Sequence, residues 1–138
     1  MRVRDYRIDR YDWHVTVYYA VTCYYAERII DDLRRIECPD NIVERVRDNL
    51  AARKLDSGFT YSNPRLRSSV MVVGLASSQA EFFNSFAHEL RHLVDDIAAA
   101  SMIALSGERV AYLTGETAMM CLPDVHDFIC CQCGCRRH

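Results

Sequence analysis

A long amphipathic helix in the middle of the chain constrains the fold more than any other segment. Ser78 followed by Glu81 forms a capping box, which predicts that the helix begins at Gln79. Apolar residues then recur at helical spacing as far as Ile97, so one face must be buried. A second strip is polar and contains Ser85, His88, His92, Asp95 and Asp96. Two histidines in such a strip indicate a metal, a cleft or contact with solvent.

Five residues of this helix, His88-Glu89-Leu90-Arg91-His92, form the pattern H-E-x-x-H. Residues i and i+4 lie on the same face of a helix, one turn apart, so the two imidazoles can bind one metal ion. Glu89 can hold a water at that ion and act as a general base. The simpler alternative is a pair of structural histidines, because the pattern arises by chance in roughly 1% of shuffled sequences of this composition.

A catalytic zinc site needs a third protein ligand and one open coordination position. Glu108 and Glu116 lie on the next predicted helix, and antiparallel pairing of the two helices leaves them comparable or slightly favours Glu116. Asp95 and Asp96 lie on the motif helix itself. A straight helix carries both about 10 Å or more away from His88. We therefore expect one of them to accept a proton from a ligand imidazole, with a solvated polar face as the simpler alternative.

The motif and the downstream glutamate resemble the gluzincin group of zinc metallopeptidases, in which a glutamate on the following helix is the third ligand. Glu108-Arg109-Val110-Ala111-Tyr112 is similar to the Glu-x-x-Ala pattern of some small intracellular members. Residues 68–116 also resemble small zinc-peptidase-like proteins of phages and prophages. The resemblance implies Zn²⁺ as the cofactor and Glu108 as the third ligand, with Glu116 as the alternative. Tyr112 stands where some gluzincins have an aspartate.

The resemblance implies a zinc metallopeptidase that hydrolyses a peptide or protein substrate with a metal-activated water. Glu89 would be the general base, and Tyr112 would stabilise the oxyanion, with Arg109 or Arg91 as the second choice. A place in the core is the simpler role for Tyr112. By analogy with zincins, the strand at residues 69–74 would align an extended peptide, provided that it is an edge strand. The alternative function is a catalytically weak zincin-like scaffold that binds a protein partner and holds a structural zinc.

Periodicity along the chain predicts an α+β domain. Strand patterns occur at residues 3–9, 13–21, 59–62 and 69–74, and helical patterns at 26–37, 41–57, 79–100 and 107–120. The last strand is apolar on both faces, which is typical of a well-covered strand. We expect a small, mainly antiparallel, zincin-like sheet with helices on one side. The metal should lie between the last two helices, where Ala111 and Gly115 would permit close packing.

Cysteines crowd the end of the chain, at Cys130, Cys131, Cys133 and Cys135. We therefore divide the sequence into a single domain, residues 1–121, and an irregular Cys-rich tail, residues 122–138. The odd total of seven cysteines does not suit a closed disulfide set. Reduced thiols, redox use and a second metal site with His126 and His138 all remain open, although the spacing is not that of a C-x₂-C zinc knuckle.

The overall composition narrows the class of partner. A net charge of −2 gives no basic excess for binding nucleic acid. No apolar run is long enough for a membrane span, and the first residues lack the apolar segment of a signal peptide. We therefore expect a cytoplasmic protein that acts on a peptide or protein rather than on nucleic acid or a membrane.

Overall fold

A mixed four-stranded sheet lies at the centre of this computed structural model, which describes residues 2–21, 26–55 and 58–130. The strands are β1 (Arg2–Ile8), β2 (Trp13–Val21), β3 (Gly58–Asn63) and β4 (Ser68–Gly74). Their order is β1-β2-β4-β3. The two outer pairings are antiparallel, and the central pairing of β2 with β4 is parallel. The helices are α1 (Ala26–Arg35), α2 (Asp40–Ala51), α3 (Gln79–Ala100) and α4 (Glu108–Ile129).

Helices cover both faces of the sheet, so the predicted one-sided arrangement is wrong. Side chains of β2 alternate between two cores: Val17 packs with α3 and α4, whereas Tyr18 packs with α1 and α2. In β4, Met71 and Val72 divide in the same way. The two central strands are therefore apolar on both sides. The α+β class is confirmed, and the sheet is mixed because its central pair is parallel.

Helix α3 begins and ends where the sequence predicts, since its signals are local. The side chain of Ser78 accepts a hydrogen bond from the backbone N–H of Glu81, at 3.1 Å. The Glu81 carboxylate in turn accepts one from the backbone N–H of Ser77, at 3.2 Å. The buried stripe of the helix runs from Phe82 to Ala98.

Helix α4 continues to Ile129, so the irregular structure predicted for residues 122–138 is wrong for residues 122–129. Cys121 and Val125 are buried in the core that α3 shares, which holds this last part of the helix in place. Pro123 lies inside the helix on an exposed side, where water can satisfy the carbonyl that loses its N–H partner.

The prediction that α4 packs closely against α3 through Ala111 and Gly115 is also wrong. Both residues are exposed, and a Cβ atom added to Gly115 would meet nothing within 4 Å. Helix α4 instead packs through larger residues, among them Val110, Leu113 and Val125. The small residues therefore face away from α3.

Candidate metal centre

The polar strip of α3 faces the edge strand β3 rather than α4. A depression of about 310 Å³ opens between these two elements, and His88, Glu89, His92 and Asp96 line its helical side. On the strand side, Gly58, Phe59 and Thr60 line the depression, while the aromatic rings of Phe59 and Tyr61 pack toward α1 and α2. The alternate positions, Gly58, Thr60 and Ser62, face α3 and carry only small or hydroxyl side chains. Small side chains leave the space that the depression occupies.

His88 and His92 are arranged like two ligands of one ion. Their Nε2 atoms lie 3.2 Å apart, with the ring planes at 71° to each other. Two nitrogens bound to a tetrahedral zinc at 2.0–2.1 Å would be separated by about 3.3 Å. Without an ion, the same contact is a hydrogen bond in which one ring nitrogen donates and the other accepts. The two imidazoles therefore fit two of the ligand positions of a zinc ion.

Glu89 is a buried carboxylate beside this pair, with only 2% of its surface exposed. The hydroxyl of Thr60 donates to its Oε2 atom at 2.9 Å and lies 3.3 Å from its backbone oxygen. The other carboxylate oxygen, Oε1, is 3.9 Å from His88 Nε2. Thr60 thus holds one oxygen while the second is directed toward the histidines. This arrangement suits a base that takes a proton from a group at the ring nitrogens.

Asp96 also lines the depression, and a chain of hydrogen bonds holds it there. Ser62 Oγ donates to Asp96 Oδ2 at 2.6 Å, and Ser69 Oγ is 2.7 Å from Ser62 Oγ. The indole N–H of Trp13 donates to Ser69 Oγ at 2.8 Å. Because a carboxylate can only accept, every proton in the chain points toward Asp96. Asp95 differs, since its carboxylate binds the exposed Arg91 at 2.8 Å.

The sequence did not single out Thr60 and Ser62. The signal was present in the alternation of Gly58, Thr60 and Ser62 with Phe59 and Tyr61, which gives one apolar and one small, polar face. Which helix that polar face meets depends on pairing between distant segments, so it could not be inferred locally.

The site residues predicted on α4 do not line the depression. Tyr112 is 63% exposed, and the Glu116 carboxylate lies 3.7 Å from Arg10, beyond the end of β1. Glu108 is exposed at the first position of α4. Within the part of the chain that the structure describes, no three His, Cys, Asp or Glu side chains are grouped to hold an ion. A third ligand from Glu108, or alternatively Glu116, stays a prediction.

Strand β4, predicted to align a substrate, is a central strand paired on both sides with β2 and β3. Its backbone groups are therefore committed to the sheet, and that role cannot belong to residues 69–74. In the described chain, the strand that lies both at the sheet edge and beside the motif helix is β3.

Two of the cysteines are core residues rather than ligands. Cys38 and Cys121 are buried, and burial raises the pKa of each thiol to about 11. At neutral pH both thiols are therefore protonated and unreactive. Cys131, Cys133, Cys135 and His138, for which the sequence left open a second metal site, lie outside the described residues.

The fold and the site together define an α+β domain in which a two-histidine helix lies against the edge of a mixed sheet. No protein-family model, curated protein or solved structure matches the chain. Over residues 2–21, 26–55 and 58–130, no helix is long and apolar enough to cross a membrane. A function for this chain therefore has to follow from the chemistry of the depression.

Proposed function

We propose that this protein is a zinc-dependent peptide hydrolase in which His88 and His92 bind the metal and Glu89 is the general base. One observation carries the proposal. Two imidazole nitrogens lie 3.2 Å apart, and a buried carboxylate oxygen lies 3.9 Å from one of them. Two convergent imidazoles and an adjacent carboxylate are the groups that metal-assisted hydrolysis requires.

Bound zinc would supply a Lewis acid that polarises the scissile carbonyl and lowers the pKa of a water. The protein's own contribution centres on Glu89. Because Thr60 holds Oε2, the Oε1 atom stays directed toward His88, where it can accept a proton from the attacking water. The same oxygen can return that proton to the leaving amine. Burial of the carboxylate limits its motion and keeps it near the reacting atoms.

An extended peptide is the substrate that suits the surroundings of the depression. Strand β3 pairs with β4 along one side, and its other side is an edge of the described sheet. Backbone groups at such an edge can bind a peptide by strand addition. The depression, at about 310 Å³, is near the lower end of the volumes typical of ligand pockets. The depression therefore suits one side chain of a bound polypeptide better than a bulky ligand.

A second function, a zincin-like scaffold with little or no activity, is favoured by one observation. The described residues do not group a third metal-binding side chain with the two histidines. A zinc ion held by His88 and His92 with a ligand from a partner protein would then stabilise a complex rather than hydrolyse a peptide. In this case Glu89 would be a structural carboxylate that joins α3 to β3 through Thr60.

Glu89→Gln separates the two functions. We expect the purified wild-type protein to contain zinc by elemental analysis and to cleave casein or a mixed peptide library. Glu89→Gln should keep its zinc and lose activity by about 10²- to 10⁴-fold, since it cannot accept the proton. Glu44→Gln, an exposed position on α2, is the matched control and should retain full activity.

The remaining outcomes are equally informative. Zinc-loaded wild-type protein without cleavage would overturn the hydrolase and leave the scaffold. If the wild-type protein binds no zinc at all, both functions are overturned. Equal activity of wild type and Glu89→Gln would show that this carboxylate is not the base.

A further inference from the structure

The outer face of helix α4, on the side opposite its buried residues, is largely apolar. Tyr112, Met119 and Leu122 lie along this face, and each of the three is more than half exposed. The exposed residues of α1 and α2 are instead mostly charged, whereas residues 117–123 of α4 include no charged residue. Large apolar side chains that are exposed together on one face mark an interaction surface.

The exposed apolar residues of this region are spaced symmetrically about Tyr112. Leu105 and Met119 stand seven residues before and after it, and Met102 and Leu122 stand ten residues before and after it. A two-fold axis through Tyr112 requires this spacing, because residue i of one copy then meets residue j of the other, and the reverse. A second copy of α4 in antiparallel orientation would therefore bring Leu105, in the connection that enters α4, close to Met119 of the first copy.

The charges beside the apolar face are complementary in the same orientation. Arg109 and Glu116 are exposed, and at seven residues apart they lie on the same flank of α4. Antiparallel pairing about Tyr112 sets Arg109 of each copy opposite Glu116 of the other, which gives two equivalent ion pairs. Parallel pairing would set each residue opposite its own copy, with like charges together. Among the described residues, Arg109 forms no ion pair and Glu116 contacts only the exposed Arg10, at 3.7 Å.

A lipid surface fits this face less well than a second copy does. The charged residues beside it are Glu108, Arg109 and Glu116, which have no basic excess to attract anionic headgroups. None of the residues on this face lines the depression between α3 and β3. A second copy on α4 would therefore leave the two histidines accessible.

We propose that two copies of this protein associate through an antiparallel pair of α4 helices centred on Tyr112, with Arg109 of each copy paired to Glu116 of the other. Burial of the exposed apolar side chains drives the association. One helix pair is smaller than the roughly 800 Å² per partner of a stable interface, so the dissociation constant should be in the micromolar range. The association needs no metal and does not depend on the hydrolase proposed above.

Sedimentation equilibrium, from micromolar to several hundred micromolar protein, tests the association. A reducing buffer with a chelator ensures that neither disulfides nor zinc can join two copies. We expect a monomer–dimer equilibrium that Met119→Glu weakens by at least about 10-fold, because the change places a charge in the apolar contact. Leu75→Glu is the matched control, since Leu75 is 62% exposed and Met119 69%, and it should leave the dissociation constant unchanged.

A wild-type protein that stays monomeric throughout overturns the dimer and leaves the hydrolase untouched, since the samples contain no free zinc. Equal dissociation constants for Met119→Glu and Leu75→Glu would likewise overturn it, because the copies would then meet through another face. Circular dichroism of each variant checks that it folds.

Exchange of the two charged residues tests the antiparallel orientation. Arg109→Glu and Glu116→Arg should each weaken association by about 10-fold, because each sets like charges opposite one another. An equal mixture of the two variants should recover the wild-type affinity, since one chain then carries two glutamates opposite two arginines of the other. A mixture that associates no better than either variant alone overturns the proposed pairing.

Discussion

At the scale of single residues, Glu89 combines deep burial with closeness to two imidazoles. A carboxylate with 2% exposure needs hydrogen-bond donors, and Thr60 on the opposite element supplies one. The same hydroxyl also lies 3.3 Å from the backbone oxygen of Glu89. One threonine therefore fixes both the position of the base and the distance between α3 and β3.

Thr60→Val should destabilise the fold by about 1–3 kcal/mol, because it keeps the shape of the side chain and removes a donor from a buried carboxylate. Equilibrium unfolding in urea gives this difference. Thr60→Ser keeps the hydroxyl and should restore most of the stability. In the active protein, Thr60→Val should also lower kcat more than it changes KM. Equal stability of the valine and serine variants would show that the hydroxyl has no such role.

At the scale of elements, the sequence predicted the helices that have local signals, but it did not predict which strands pair with each other. The approximate bounds predicted for helix α3 agree with the structure, because its N-terminal cap and its apolar stripe both lie within its own sequence. The end of α4 was missed, because the irregular tail was inferred from the local cluster of cysteines, whereas Asp124 bonds to Arg4 of β1, far along the chain. Which of β3 and β4 pairs with β2 depends on such a distant contact. The sequence therefore could not distinguish β3 as the edge from β4 as the centre.

Alanine substitutions at Gly58 and Gly115 test how β3 packs against β4 and which way the small residues of α4 face. Gly58 begins β3 with φ at 128°, and an added Cβ would lie 1.8 Å from the carbonyl oxygen of Val72. Gly58→Ala should therefore cost at least about 2 kcal/mol, from backbone strain and overpacking together. Gly115→Ala should instead stabilise by about 0.5–1 kcal/mol, because the position is helical and open.

Thermal or urea unfolding of the two glycine variants measures both changes. Opposite signs support the close pairing of Gly58 with β4 and the outward position of Gly115. A destabilised Gly115→Ala would show that α4 packs through its small residues after all.

At the scale of the whole molecule, the sheet separates two cores and presents different chemistry at its two edges. The histidines lie at the β3 edge, whereas Asp124 of α4 is bound to Arg4 and Tyr6 at the β1 edge. The sequence predicted the α+β class and placed two histidines and Glu89 on one helix. It also predicted that residues 69–74 were covered on both faces, although it placed the helices on one side of the sheet only. The depression itself could not be predicted, because β3 and α3 meet only in the folded chain.

Asp124 is expected to hold the end of α4 onto the sheet. Its side chain is 12% exposed, and the carboxylate accepts from Arg4 Nε at 2.9 Å and from the hydroxyl of Tyr6 at 2.6 Å. Asp124→Asn should lower the free energy of unfolding by about 2–4 kcal/mol, because it breaks a largely buried charged network. Asp12→Asn removes an exposed partner of Arg7, 2.6 Å away, and should cost no more than about 1 kcal/mol.

The loss of folding stability at high pH is a second, independent test of the network around Asp124. Burial, and then the hydrogen bond to Asp124, raises the pKa of Tyr6 above its ordinary value. A raised pKa means that the unfolded chain releases the proton first, so the contribution of Tyr6 to stability is complete below about pH 10 and is lost above it. Urea unfolding from pH 8 to pH 11 should show this loss in wild type and a shallower one in Tyr6→Phe. A parallel decline in both proteins would mean that the Tyr6 hydroxyl does not contribute to holding β1 against α4.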